Sequence, residues 1–280
     1  MSPRMGTHSG KQLNEPRYSQ SLETGLLVMK GFSSEHPVQG IAEVADRLEA
    51  SRSTVHRYMT TLVALGMLEQ HPRTRRYRVA LLPVDLGRAA LDANRVVQAT
   101  GDALQKLRRQ TGCTVRTATA IGFDAVILDS ARSFAPGQGL LGVQLRRGAT
   151  VPGHATALGK VMLSTLEPKQ LKDQLAAAKL SKHTGKTSTS KRALETEIAD
   201  VRKNGYAIED EEHELGVVSI AVPVADSDGA QVGALGLVAH TPEITLKTLR
   251  THLNALQAAA GKISSGVEPA EPKRRKRSAA

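Results

Sequence analysis

GIAEVADRLEASRSTVHRYMTTLVALGMLEQ, residues 40–70, carries two short helical periods separated only by Glu49, Ala50 and Ser51. In the first, Ile41, Val44, Ala45 and Leu48 recur at the spacing of one helix face. In the second, Val55, Met59 and Leu62 fall within about 60° of each other on a helical wheel, with Tyr58 and Leu65 beside them. Ser51 is a good N-cap for that second helix. Two short helices joined by so tight a turn form a helix-turn-helix, and Ala45 is small enough for a close crossing. Glu49 stands at a turn position where glycine is common in such motifs, a departure that a turn without positive φ would accommodate.

The polar face of the second helix is unusual. It presents Ser53, His56, Arg57 and Thr60, with Ala64 beyond them, instead of the Lys and Glu that usually cover a solvated helix. Short polar side chains let a helix sit deep in a major groove, and Arg57 offers a bidentate fork to guanine. Residues 66–80, GMLEQHPRTRRYRVA, read as strand, turn and strand with HPRTR at the tip, a β-wing. From residue 51 to 78 there are six Arg, no Lys and a single acid, Glu69. A winged helix-turn-helix on duplex DNA is predicted. Its contacts are Ser51, Arg52, Ser53, Thr54, His56, Arg57 and Thr60 on the helix, and Arg73, Arg75 and Arg76 on the wing.

The formal net charge of +11 agrees, since a basic chain gains by releasing counterions from phosphates. With no Trp, 3 Phe and 4 Tyr, the chain lacks the aromatic platforms that single strands stack on. One cysteine, Cys113, excludes a disulfide framework and a four-cysteine zinc site, and reads as a small buried side chain. No apolar run is long enough to span a membrane and no signal core opens the chain, so a cytoplasmic protein with no membrane partner is expected.

Residues 1–18 read as disordered, 19–82 as the winged helix-turn-helix domain and 83–111 as linker helices with a break near Gly101. After Gly112 the period changes to two, in TVRTATAI and AVILDSA, marking strands. Helices are expected at 154–166, 168–179 and 191–204, a hairpin from 217–224 and 231–239 turned by DSDG, and one last helix over 242–263. Residues 266–280 read as a basic disordered tail, whose KRRKR at 273–277 adds phosphate contacts or remains solvated. The fold class is α+β.

At these residues the chain resembles the IclR family of bacterial transcriptional regulators. The likeness rests on SLETGLLVMKGF, IAEVADRLEASRSTVHRYMTTLVALGMLE, RRYRVALLPVDLGRAAL, VPGHATALGKVMLS and GYAIEDEEHELGVVSIAVPVAD, in that order. In the last segment Gly205, Glu212, Ser219, Ile220, Ala221, Val224 and Asp226 fit the family pattern. Glu209 stands where Asp or Ser is typical, and Ala225 where an aromatic residue or His is typical. The resemblance implies a GAF-like effector-binding domain with an antiparallel sheet over 112–265. It implies homodimers, in some members paired into tetramers, and promoter control by a small-molecule effector, mostly a carboxylate or an aromatic compound. YSQSLETGLLVMKGFSSEHP looks closest to members governing aromatic-acid catabolism. Carried over by motif, Ala157, Leu158, Glu209, Ser219, Gly236 and Val238 line the effector cavity, with Leu141 and Val143 closing it.

Gly153 and His154 precede a helix expected to start near Ala155, whose free N–H groups make an anion site. ALGLV at 234–238 has no hydroxyl, and Glu209 would repel an anion unless it is protonated or turned away, so an apolar, ring-bearing effector is favoured. An enzyme is disfavoured. HATALGKV has the wrong glycine spacing for a P-loop and Val161 where Ser or Thr should follow the lysine. EDEEHE at 209–214 reads as a solvated loop rather than a metal cluster. No metal or cofactor is expected. A sequence-independent DNA binder fits the basic wing and tail, but leaves the C-terminal half without a role.

Overall fold

The computed structural model describes residues 18–33, 35–133, 146–241 and 244–269. Residues 1–17 and 270–280, and with them the KRRKR cluster, lie outside the described residues, as do Leu141 and Val143. The chain divides into two compact units, with the cut after Ala90. Val267, expected in the disordered tail, is instead buried, because it packs into the core of the second unit and its carbonyl accepts from Ser227 N.

The first unit holds α1 (Gln20–Lys30), β1 (Val38–Gln39), α2 (Ile41–Leu48), α3 (Arg52–Ala64), β2 (Leu68–Gln70) and β3 (Tyr77–Val79). The three strands form one antiparallel sheet in the order β1-β3-β2, so the wing is the β2–β3 hairpin with β1 added to its edge. Val28, Val44, Ala45, Val55, Met59, Leu68 and Tyr77 are its core. One buried amide ties these parts together. Gln39 Nε2 donates to Gly31 O at 2.8 Å and to His36 O at 3.2 Å, and Arg47 donates to the same Gly31 carbonyl and to the Gln39 side chain. The carbonyl of Gly31, the C-cap residue of α1, is thereby satisfied.

The turn between α2 and α3 does use positive φ. Glu49 takes φ 52 and ψ 36, in the left-handed region. The Ala50 N–H closes the end of α2 on Ala45 O at 3.0 Å, and that closure needs the reversed backbone.

The connector is more broken than its sequence suggests: α4 (Leu82–Asp92), α5 (Arg95–Thr100) and α6 (Ala103–Thr111). Gly101, at φ 48, makes the expected break. Asn94 makes another, its side chain accepting from Val96 N and Val97 N as the N-cap of α5.

The second unit is a six-stranded antiparallel sheet in the order β6-β5-β4-β9-β8-β7. Its strands are β4 (Thr114–Ile121), β5 (Asp124–Ala131), β6 (Thr150–Val151), β7 (Ala207–Asp210), β8 (Val217–Ala225) and β9 (Gln231–His240). Helix α7 (Ala157–Ser164) covers one face, backed by α8 (Pro168–Ala177) and α9 (Lys191–Asn204). The opposite face carries α5, α6, α10 (Leu246–Thr251) and α11 (Leu253–Ser264). Val218, Ile220, Val222 and Val224 point to the α11 side with Leu235 and Leu237, while Ala221 and Ala234 point to α7. This is period-two patterning of a sheet buried on both faces.

Three further expectations are corrected. The final helix is two helices that meet at His252. The helix expected from Ala155 begins at Ala157, because Thr156 is its N-cap and accepts from Gly159 N at 3.1 Å. Residues 209–214 are not a solvated loop. Glu209 and Asp210 finish β7, Glu209 is 4% exposed, and Glu212 turns back into the unit.

Candidate functional site

On α3, Ser51, Arg52, Ser53, His56, Arg57 and Thr60 are exposed and Thr54 is half-buried. Ser51 Oγ accepts from Thr54 N at 3.1 Å and lies 2.9 Å from Ser53 Oγ and 2.8 Å from Thr54 Oγ1. The hydroxyls at the helix start therefore form one cluster that fixes the entry of α3. Farther along, the Arg57 guanidinium sits 5.6 Å from the Tyr58 ring centroid, a stacking contact that aligns its fork. Val55 and Met59 on the opposite face are fully buried, which sets the rotation of the helix and hence which residues face out.

The wing arginines divide into two kinds. Arg73 and Arg75 are exposed at the tip. His71 Nδ1 accepts from Arg73 N and Thr74 N, Gln70 Nε2 donates to Arg75 O, and Arg75 itself takes φ 58, so the tip is a built turn. Arg76 points back instead, donating to Glu43 Oε2 at 2.8 Å and to Val38 O at 3.0 Å. Arg78 pairs with Glu69.

In the second unit a cavity lies between α7 and the sheet, lined by Arg116, Val151, Thr156, Leu158, Glu209, His213, Val217, Ser219 and Val238. Four residues named from the sequence, Leu158, Glu209, Ser219 and Val238, meet there. Their meeting follows from strand register: Glu209 pairs with Ser219, and Ser219 with Val238. Gly236 lies under Leu158 rather than on the cavity wall. A Cβ on it would sit 3.1 Å from Leu158 Cδ2 and 3.3 Å from Ala221 Cβ. Ala157 is wholly buried and contributes its backbone N–H, which hydrogen-bonds the Glu209 carboxylate. The anion site expected at the start of α7 thus already holds a carboxylate of the chain itself.

The cavity's free volume is about 20 Å³, close to one water molecule. Its charges are set by burial. Glu209 accepts the Ser219 hydroxyl at 2.5 Å, yet removal from water dominates and raises it to about 7. Burial, with His183, His154 and Arg116 nearby, lowers His213 to about 4, so its ring is neutral at pH 7. Its Nδ1 has no hydrogen-bond partner among the described residues. Arg116, 4% exposed, is lowered by burial to about 10 and remains a cation.

Arg116, Thr156 and His213 were missed in the sequence. Arg116 did leave a trace. It is the one charged residue in the strand TVRTATAI, at a register position opposite Gly236, where the neighbouring strand leaves room for a long side chain.

Beneath the cavity Lys160, wholly buried, donates to Glu197 at 2.6 Å, to both Glu212 oxygens at 2.7 and 2.8 Å, and to Ile208 O at 3.1 Å. The lysine that resembled a P-loop residue is a structural cation. Among the described residues no group of three or more His, Cys, Asp or Glu could hold a metal ion, and no helix is long and apolar enough to cross a membrane. Cys113 is buried, and burial pushes its thiol up, away from nucleophilic use.

Two family models match the chain: the IclR helix-turn-helix domain over residues 21–72, and the bacterial transcriptional regulator IclR C-terminal domain over 88–265. The Pca regulon regulatory protein of Pseudomonas putida is 30% identical over 250 residues, covering 89% of this chain and 84% of that protein. The crystal structure of an IclR-type transcriptional regulator from Silicibacter is 28% identical, with a TM-score of 0.76, covering 90% of this chain and 98% of that one. The inducer-binding domain of PobR from Acinetobacter, solved as a double mutant in complex with 3-hydroxybenzoic acid, is 27% identical. Its TM-score is 0.55, and the match covers 60% of this chain and 97% of that one.

Proposed function

The chain belongs to the IclR family of bacterial transcriptional regulators, and from that premise we propose that it binds a near-palindromic operator as a homodimer whose DNA affinity changes when a small carboxylate enters the cavity under α7. It is a DNA-binding regulator and not an enzyme. The observation that carries the DNA half is the outward face of α3, with His56, Arg57 and Thr60 exposed beside the arginine-tipped wing.

In this reading His56, Arg57 and Thr60 meet base edges. Ser51, Arg52, Ser53 and Thr54 set the helix against phosphate, and Arg73 and Arg75 reach the backbone from the wing. Arg76 acts by holding the wing to α2. Dimerisation is supported by the apolar residues left exposed in the first unit, Leu22 and Leu26 on α1 and Leu81, Val84 and Leu86 at and along α4. A two-fold dimer places its α3 helices about one DNA turn apart. Pairing of dimers into tetramers, as in some relatives, extends the same reading, and the site of action is the cytoplasm.

An aromatic acid suits the chemistry of the cavity, with the apolar walls Val151, Leu158, Val217 and Val238 around the Arg116 cation. The two relatives named for the Pca regulon and for 3-hydroxybenzoic acid support that class. A ring is larger than the present cavity, so Leu158 and its neighbours would repack around it. The test is binding of the full-length protein to DNA upstream of its own gene against a scrambled fragment, over a salt series. A preference that persists at physiological salt and is altered by benzoates supports the reading. Equal, steeply salt-dependent binding to both fragments contradicts it.

A further inference from the structure

We infer that Glu209 is a built-in occupant of the ligand site: its carboxyl group fills the place that an incoming carboxylate would take at the start of α7, and a ligand enters by displacing it. The inference rests on the effector role of the cavity proposed above, and adds to it what the ligand must compete with.

The Glu209 head is held as a bound acid would be held. Its donors come from the two opposite walls of the cavity, the Ser219 hydroxyl of β8 at 2.5 Å and the N–H of Ala157, the first residue of α7. A carboxyl group bridged between a helix N-terminus and a hydroxyl facing it is a common way to seat an acid. The rest of the cavity has the make-up of a small-molecule site, with the apolar walls Val151, Leu158, Val217 and Val238 around that polar end. Only its volume is wanting. With the 4% exposed Glu209 side chain inside, about 20 Å³ is left.

Neighbouring charge does not explain why an acid sits there. The Lys160 ammonium is already matched by Glu197 at 2.6 Å and Glu212 at 2.7 Å, so it does not call for Glu209 as well. Arg116, whose charge Glu209 also feels, keeps an acid beside it when an external carboxylate takes over the place. An exchange of one carboxyl group for another therefore conserves both the donors used and the charge. Its cost to a ligand is the cost of moving Glu209 out, which lowers the apparent affinity by the fraction of molecules in which the place is open. Cutting Glu209 back to alanine removes that cost, and the fragment removed has the skeleton of acetate.

The experiment follows thermal melts and calorimetric binding of the full-length wild type, Glu209→Gln and Glu209→Ala in formate, acetate, propionate and acetamide, at pH 7 with ionic strength held by chloride. Acetate should raise the melting temperature of Glu209→Ala saturably and bind it roughly tenfold or more tightly than it binds wild type. Glu209→Gln, in which an amide of the same shape fills the place, should respond as little as wild type. Acetamide should bind Glu209→Ala roughly tenfold more weakly than acetate does. Adding Ser219→Ala to Glu209→Ala should weaken acetate several-fold, because one of its two donors is gone. If Glu209→Ala does not melt cooperatively in chloride, acetate should restore a cooperative melt, and Glu209→Ser carries the same comparison.

A folded Glu209→Ala that ignores acetate, or takes acetamide equally well, overturns the inference. So does a wild-type protein that binds acetate as tightly as the alanine variant does. Benzoates that alter wild-type DNA binding, with no gain of acetate binding in Glu209→Ala, leave the effector reading standing and remove Glu209 as the occupant. Acetate that fills Glu209→Ala, with no benzoate altering the DNA binding of either protein, upholds Glu209 as the occupant of a carboxylate place and contradicts the effector reading.

Discussion

Ser219 donates its hydroxyl hydrogen to Glu209 Oε2 across 2.5 Å, between residues that the β7–β8 register sets directly opposite each other. That bond and the Ala157 N–H both favour an ionised carboxylate, but burial opposes them and prevails. The side chain is therefore a stored cost at high pH rather than a stabilising pair.

Stability should follow from this with a definite sign. Glu209 is raised from 4.5 to about 7 in the folded chain, so its contribution is fully present below pH 4.5 and is lost as pH rises through 7. Glu209→Gln, which cannot ionise, should gain on wild type between pH 5 and pH 8 by about 2–3 kcal/mol in urea unfolding. A difference that stays constant with pH would contradict it.

Lys160→Met should destabilise the second unit by about 3–5 kcal/mol. It strands Glu212 and Glu197, whose side chains are 14% and 37% exposed, against a wholly buried apolar tail. Adding Glu212→Gln should recover part of the loss, because one of the stranded charges goes with it. Denaturant midpoints of the single and double variants check this. No recovery would mean that the loss is one of packing.

Glu49→Gly should stabilise the first unit by up to about 1 kcal/mol, by relieving a left-handed conformation that costs a non-glycine residue about that much. Glu49→Ala should give no gain, because alanine meets the same backbone clash. Thermal melts of the two variants separate backbone relief from any effect of removing the charge.

Arg57→Ala and Arg76→Ala should differ in kind. The first should cost about 1–3 kcal/mol on the operator and relax preference at one base pair. The second removes a pair that is 43% and 49% exposed, worth at most about 1 kcal/mol to stability, and frees the wing from Glu43. It should weaken binding to all sequences alike. Competition against a library of single-base operator variants distinguishes the two. A shift in base preference on losing Arg76 would place it on the DNA.

The helix-turn-helix was legible because each of its signals is local: the Ser51 cap, the apolar stripe of Val55 and Met59, and the strand period of the wing. The second unit was legible in outline for the same reason, since its strands alternate. What escaped was information carried by tertiary pairing. Glu209 hides in a run of acids that looks wet, and only its register opposite Ser219 turns it inward. Arg116 looks like a strand residue with a polar outer face until α7 is laid over it. The break at Asn94 has neither Gly nor Pro to announce it, because a side-chain cap made it. The backbone of Glu49 was not legible, because the closing bond of α2 decides it and residue preference does not.

Gly153 and Gly159 set a limit on how the ligand cavity can respond. A Cβ on Gly153 would lie 1.9 Å from Phe123 O, and one on Gly159 would lie 2.5 Å from Gly153 Cα. Backbone already rests on backbone along that flank, so α7 stands against a mechanical stop. An occupant can lift the helix away from the 123–124 turn but cannot seat it deeper along that flank.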